Sequence, residues 1–217
     1  MKRLRISDER GLSLVEMVMV LSILSVVLVF VAGTFGSLFW TTERTELRLQ
    51  NLDQARLIVN GLTKDIRTAT RKSPTLSPFD LADAREMIFY ANLNSTTSPA
   101  GPRKVRLYVD SSSRFVREIT APDSTCVSPS SCTYNGTPSS RVLGYYVVNP
   151  GAIFTYINDS TAPPTQITPT PISASGLLNV TAVQVSLTIR KQTNFQVPAV
   201  TVINRVRLTN VEYNPLT

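Results

Sequence analysis

Between Glu16 and Glu43 the chain carries no charged residue, and this stretch constrains everything it can fold into. It reads MVMVLSILSVVLVFVAGTFGSLFWTT. At ~1.5 Å of rise per residue the run makes about 39 Å of helix, enough to cross a hydrocarbon core of roughly 30 Å with some tilt. Residues 12–40 are therefore expected to enter a membrane. Ahead of them Lys2, Arg3, Arg5 and Arg10 outnumber Asp8 and Glu9. That excess holds residues 1–11 on the cytoplasmic side and sends everything after Trp40 out of the cytoplasm.

Two features set the segment apart from an ordinary anchor. Glu16 lies close to the start of the apolar run, where a carboxylate at full depth costs up to ~3 kcal/mol, so it needs a partner. Gly11 closes a short polar leader. A cut after it would remove the leader, keep the apolar run and expose a free amine at Leu12, one helical turn from Glu16. A conventional signal peptide has an apolar core of about 7 to 15 residues followed by a small-residue site. Val31-Ala32-Gly33 would serve as that site, but the run is too long. A plain signal anchor explains the length and leaves Glu16 without a role.

The string Gly11-Leu12-Ser13-Leu14-Val15-Glu16 resembles the class III signal of type IV pilins and of the pseudopilins of type II secretion. Leu12 stands where that family most often has phenylalanine, and Ser13 where it has threonine. The resemblance implies that prepilin peptidase cleaves between Gly11 and Leu12 and methylates the Leu12 amine. It also implies that the processed helix joins a filament through Glu16. The partners would be other pilin subunits, the peptidase and an inner-membrane assembly platform. Before assembly the chain would be a single-pass inner-membrane protein; afterwards it would belong to a surface pilus or a periplasmic pseudopilus.

Past Trp40 the pattern changes period without a breaker. Leu49, Leu52, Ala55, Val59, Leu62, Ile66 and Ala69 recur at intervals of three and four, with Arg44, Arg48, Arg56, Lys64, Arg67 and Arg71 among them. This is an amphipathic helix. Pro74 pushes Ser73 out of the helical region, so one helix is expected over residues 12–72, roughly 90 Å long. Residues 12–40 would lie in lipid or among neighbouring subunits, and residues 41–73 would pack on the exported domain. Gly33 and Gly36 each cost about 1 kcal/mol of helix propensity relative to alanine. They read either as small residues at a helix contact or as a weak point where the helix unwinds in a filament.

Residues 74–217 read as a β-rich head. Strands are expected at 87–91, 105–109 and 114–119, the last two joined by the turn-like Asp110-Ser111-Ser112-Ser113. Further strands are expected at 141–148, at 153–157 after Asn149-Pro150-Gly151, at 183–189 and at 200–208. Residues 159–176 are dominated by Ser, Thr, Pro and Ala and are expected to form an exposed loop without a core. A long helix covering one face of six or seven mostly antiparallel strands is an α+β architecture. Its order resembles the larger minor pilins and the J-type or W-type minor pseudopilins.

Cys126 and Cys132 are the two cysteines, separated by VSPSS, and the membrane span places them in an oxidising compartment. A short-loop disulfide is expected. Two cysteines without histidine make a poor zinc site. The chain has no histidine at all, which removes Ser-His-Asp and Cys-His nucleophiles, and no G-x-S-x-G or G-x-x-x-x-G-K-[ST] string occurs. No enzyme, no catalytic residue, no cofactor and no metal is expected. Asp80, Asp83 and Glu86 are spaced to align on one turn of a helix starting after Pro78. That is a solvated helix start by default, with calcium binding or acid/base work as the sharper alternative. Tyr145-Tyr146, Phe154 and Tyr156 form an aromatic surface or are split between core and surface of a sheet. The formal charge of +7 permits contact with nucleic acid or anionic surfaces, but no dense Lys/Arg tract indicates it. The competing class is a monomeric exported binding module on a signal anchor.

Overall fold

The computed structural model describes residues 13–71, 76–93, 101–124, 132–191 and 197–209. Gly11, Leu12 and Cys126 lie outside the described residues. The chain divides into two compact units, Met1–Glu46 and Leu47–Thr217.

Helix α1 runs over Leu14–Arg67, 54 residues without a break. Within the first unit its apolar side chains are exposed around the whole circumference, from Leu14 and Val15 to Phe39 and Trp40. The most apolar 18-residue window has a mean hydropathy of 2.8. Every Ser and Thr in the uncharged run turns its hydroxyl back onto the helix. Ser22 donates to the Met19 carbonyl, Ser25 to Ser22, Thr34 to Val31, Ser37 to Thr34, Thr41 to Ser37 and Thr42 to Leu38. Such bonds satisfy the hydroxyl locally, so these residues can enter an apolar medium without an unpaired polar group. Added Cβ atoms at Gly33 and Gly36 would meet nothing within 4 Å.

In the second unit α1 buries Asn51, Ala55, Ile58, Val59, Leu62, Asp65 and Ile66. Of the expected stripe Ala55, Val59, Leu62, Ile66 and Ala69 are buried, Leu52 is half-buried and Leu49 is exposed, while Ile58 joins the inward face. The polar pair Asn51 and Asp65 joins the inward face because each finds a polar partner there. The helix ends at Arg67, before the expected stop near Pro74. Thr68 and Ala69 donate to the carbonyls of Asp65 and Ile66, a tightened last turn, and then the chain leaves to pair with a strand. Ala69 forms a bridge with Ala91, flanked by Thr70 N–H to Tyr90 and Asn92 N–H to Thr68. Sheet pairing ends the helix before proline can.

The head contains two sheets. Strands β1 (Phe79–Ala82), β2 (Glu86–Ala91), β3 (Arg103–Val109), β4 (Phe115–Thr120) and β5 (Ser139–Gly144) form an antiparallel meander in sequence order. Strands β6 (Phe154–Asn158), β7 (Thr165–Gln166), β8 (Ala182–Ile189) and β9 (Val200–Arg207) form a second antiparallel sheet in the order β7-β6-β8-β9. The expected hairpin is present: β3 and β4 pair in register from Lys104↔Thr120 to Val109↔Phe115. Nine strands are therefore present among the described residues, more than the six or seven expected and in two sheets, because β1 and β7 are too short to carry an alternation of their own.

One core joins both sheets to α1. Phe79 meets Tyr156 edge-on at 6.0 Å, and Phe115 meets Phe154 edge-on at 6.3 Å, so aromatic rings bridge the two sheets. Ile58, Val59, Leu62 and Ile66 of α1 belong to the same cluster. Gly144 closes β5 where the helix passes. A Cβ there would lie 2.9 Å from Ile58 Cγ1 and closer still to its Cδ1.

Residues 159–176 are not a coreless loop. Ile172 is buried, Ile167 packs against the core, and the Ile172 N–H donates to the Ala82 carbonyl at 3.0 Å. The segment also supplies β7 and begins α2 (Ala174–Leu177), whose Leu177 is buried. Single apolar residues five apart in a Ser/Thr/Pro background each anchor the segment, with no periodic run to announce it.

Candidate functional site

The first turns of α1 set the geometry of the N-terminal site. Met17 N–H donates to the Ser13 carbonyl at 3.1 Å, the first intrahelical bond, so Ser13 occupies the cap position. Glu16 then falls in the first turn. There the unpaired N–H groups and the helix dipole favour a carboxylate. Ser13 and Glu16 also have the spacing of a capping box, a signal the sequence reading passed over. Glu16 is exposed and takes part in no ion pair among the described residues. An acid at the tip of an apolar rod, with the rod uncovered on all sides, can accept a cation from outside the helix.

The carboxylate cluster on the head does not assemble as expected. Asp80 lies in β1 and Glu86 in β2, so the three acids do not share a helical turn. The strand wins because Phe79 and Ala82 drop into the core. Asp80 accepts the Tyr90 hydroxyl and pairs with Lys104 at 3.3 Å, while Glu86 pairs with Arg106 at 2.7 Å. Arg106 also reaches Glu118 at 3.2 Å and stacks over Tyr108 at 4.3 Å. Asp80 and Glu86 are thus committed to pairs across the sheet, while Asp83 lies between β1 and β2 and meets the Tyr156 hydroxyl through its backbone carbonyl.

A cavity of about 510 Å³ opens beside β1, lined by Leu76, Phe79, Asp80, Tyr90, Leu177 and Leu178 among others. Burial, then the hydrogen bond to Asp80, raises the Tyr90 phenol. Tyr134 packs on Tyr90 at 5.2 Å and donates to the Pro102 carbonyl at 2.7 Å. Burial, then the Asp80 charge, pushes its phenol up to about 12. These groups tie the segment after β4 onto the sheet. Of the two readings for the aromatics, the split between core and surface holds: Phe154 and Tyr156 are in the core, and Tyr145 and Tyr146 are exposed.

Residues 6–32 match the prokaryotic N-terminal methylation motif. No curated protein matches the chain. The motif spans Gly11, Leu12 and Glu16, and implies processing and assembly with other pilin subunits in a membrane-associated system. Motif and apolar helix fit a chain anchored in a membrane before assembly. A methylation motif leading into a long helix, with antiparallel sheets behind it, is an α+β arrangement as in the type IV pilin-like fold, and the motif is consistent with the type IV pilin and pseudopilin family.

Proposed function

We propose that the protein is a minor, non-enzymatic structural subunit of a type IV pilus-like filament. Prepilin peptidase removes residues 1–11 and methylates the Leu12 amine. Residues 12–40 hold the precursor in the inner membrane and then enter the filament bundle, residues 41–73 continue the rod, and residues 74–217 form the head. Supporting this reading is one observation above the others: Glu16 stands in the exposed first turn of an apolar helix, within the methylation motif. In a bundle of such helices its charge is best met by the Leu12 amine of a neighbouring subunit, because an unpaired carboxylate there costs several kcal/mol. A Cys126–Cys132 disulfide fits Cys132 not being a free thiol. The two-sheet head and its long Ser/Thr/Pro-rich segment favour a tip-proximal place over a repeating shaft subunit.

N-terminal sequencing and intact mass of the native protein test this. A methylated Leu12 at the N-terminus is expected, and an intact leader would leave a signal-anchored module instead. The same motif serves pseudopilins of type II secretion. Co-purification with secretion-platform components, in place of pilus components, would move the subunit to that system.

A further inference from the structure

Beside the last two turns of α1 lies a second cavity, of about 440 Å³, between the helix and β4. Gly61, Lys64 and Asp65 line it from α1, at the three- and four-residue spacing of helix neighbours, and Arg117 and Ile119 line it from β4. All of these residues belong to the unit Leu47–Thr217.

The charges around the cavity do not balance. Asp65 is the one acid among its described lining residues; it is buried, and its Oδ2 accepts a single bond from Arg117 Nη1 at 2.8 Å. The rest of that guanidinium is unspent, and its buried Nε has no hydrogen-bond partner among the described residues. Lys64 is exposed and joins no ion pair among the described residues. The strand register adds a third cation. Arg141 of β5 stands directly opposite Arg117, so the two share a face of the sheet. Like charges so placed repel, and Arg141 has no ion pair among the described residues either. One acid thus answers three cations, which leaves a net positive charge for an incoming anion.

The remaining lining bears on what that anion is attached to. Leu93 and Ile119 are half-buried apolar side chains packed against the core. Asn92 spends its backbone N–H on the Thr68 carbonyl at 2.9 Å and keeps an exposed side-chain amide. The volume lies toward the lower end of the roughly 300–1,000 Å³ typical of ligand pockets, room for a small body and not a chain. We propose that this cavity binds a carboxylate carrying a short apolar body and an amide, the chemistry of a peptide's C-terminal residue. The carboxylate sits between Lys64 and Arg117, whose guanidinium suits it in shape and charge; the apolar body meets Leu93 and Ile119, and the amide meets Asn92. A phosphate would face the same cations, but the buried Asp65 charge in the lining favours the single charge of a carboxylate.

Full-length protein in detergent micelles, followed through the Arg117 Nε–H signal by heteronuclear NMR, is titrated with N-acetyl-leucine, N-acetyl-leucinamide and inorganic phosphate. Saturable shifts are expected with N-acetyl-leucine alone. Lys64→Gln removes a cation that has no partner to lose, and should weaken binding roughly tenfold. Gly61→Leu should abolish binding by filling the cavity without altering charge; it is an exposed helical position where an added Cβ meets nothing within 4 Å. Both variants are checked for native circular dichroism. No shift with N-acetyl-leucine, equal shifts with the uncharged amide, or unchanged binding in either folded variant overturns the proposal. A response to phosphate in place of N-acetyl-leucine overturns it as well and assigns the cavity to a phosphate group.

Discussion

Glu16 and Asp65 are two carboxylates on one helix with opposite surroundings. Glu16 is exposed and its partner must come from outside, so Glu16→Val is expected to leave export and head folding intact and to remove the subunit from sheared filaments. Normal recovery of the variant in the filament fraction would count against the assembly role. Asp65 is 6% exposed and holds Arg117 of β4 at 2.8 Å, itself 21% exposed. Asp65→Ala leaves a mostly buried guanidinium without its counter-ion, at a cost of about 3 kcal/mol in urea unfolding. Asp65→Leu combined with Arg117→Met should recover much of that loss, because no charge is then left unpaired.

Among the elements, the β3–β4 hairpin is the most locally determined. Asp110 Oδ1 accepts the N–H groups of Ser112 and Arg114, each at 2.9 Å, and these bonds hold its carboxyl below the usual range. Ser113 sits at φ 58°, so Ser113→Gly should raise the urea midpoint of the head by the equivalent of ~1 kcal/mol. An unchanged or lowered midpoint would argue against strain at that turn. The segment carrying Tyr134 behaves differently, since it is tied down by burial and not by local turns. The fold favours the neutral Tyr134 phenol, moving it from 10.0 to about 12. Its stabilisation is therefore intact below pH 10 and is lost as pH rises through about 12. Melting temperature should fall more steeply over that window in the natural protein than in Tyr134→Phe, which keeps the ring and removes the titration.

Across the whole molecule, the first unit is an apolar helix with exposed side chains and the second has its own core, so the two should respond separately to denaturant. In detergent micelles, urea is expected to abolish the near-ultraviolet signal of the packed aromatics while much of the helical signal persists. Loss of both in one transition would show that the rod depends on the head. Much of this was legible beforehand. The uncharged run and the hairpin tetrad are local patterns, and local patterns act through solvation and backbone geometry that nearby residues determine. The Asp80, Asp83 and Glu86 spacing misled because three acids at helical intervals say nothing about Phe79 and Ala82 being wanted in a core. Ile167, Ile172 and Leu177 were missed because isolated anchors have no period. By itself the sequence determined that this chain has a helix long and apolar enough to cross a membrane, a methylation motif at its start and a β-rich part after it. Only the tertiary structure decided the split into two sheets, the early end of α1, the buried Asp65–Arg117 pair and the outward Tyr145–Tyr146 turn. Each of those depends on contacts between residues far apart in the chain, whose free energy outweighs the modest preferences that a local stretch can express.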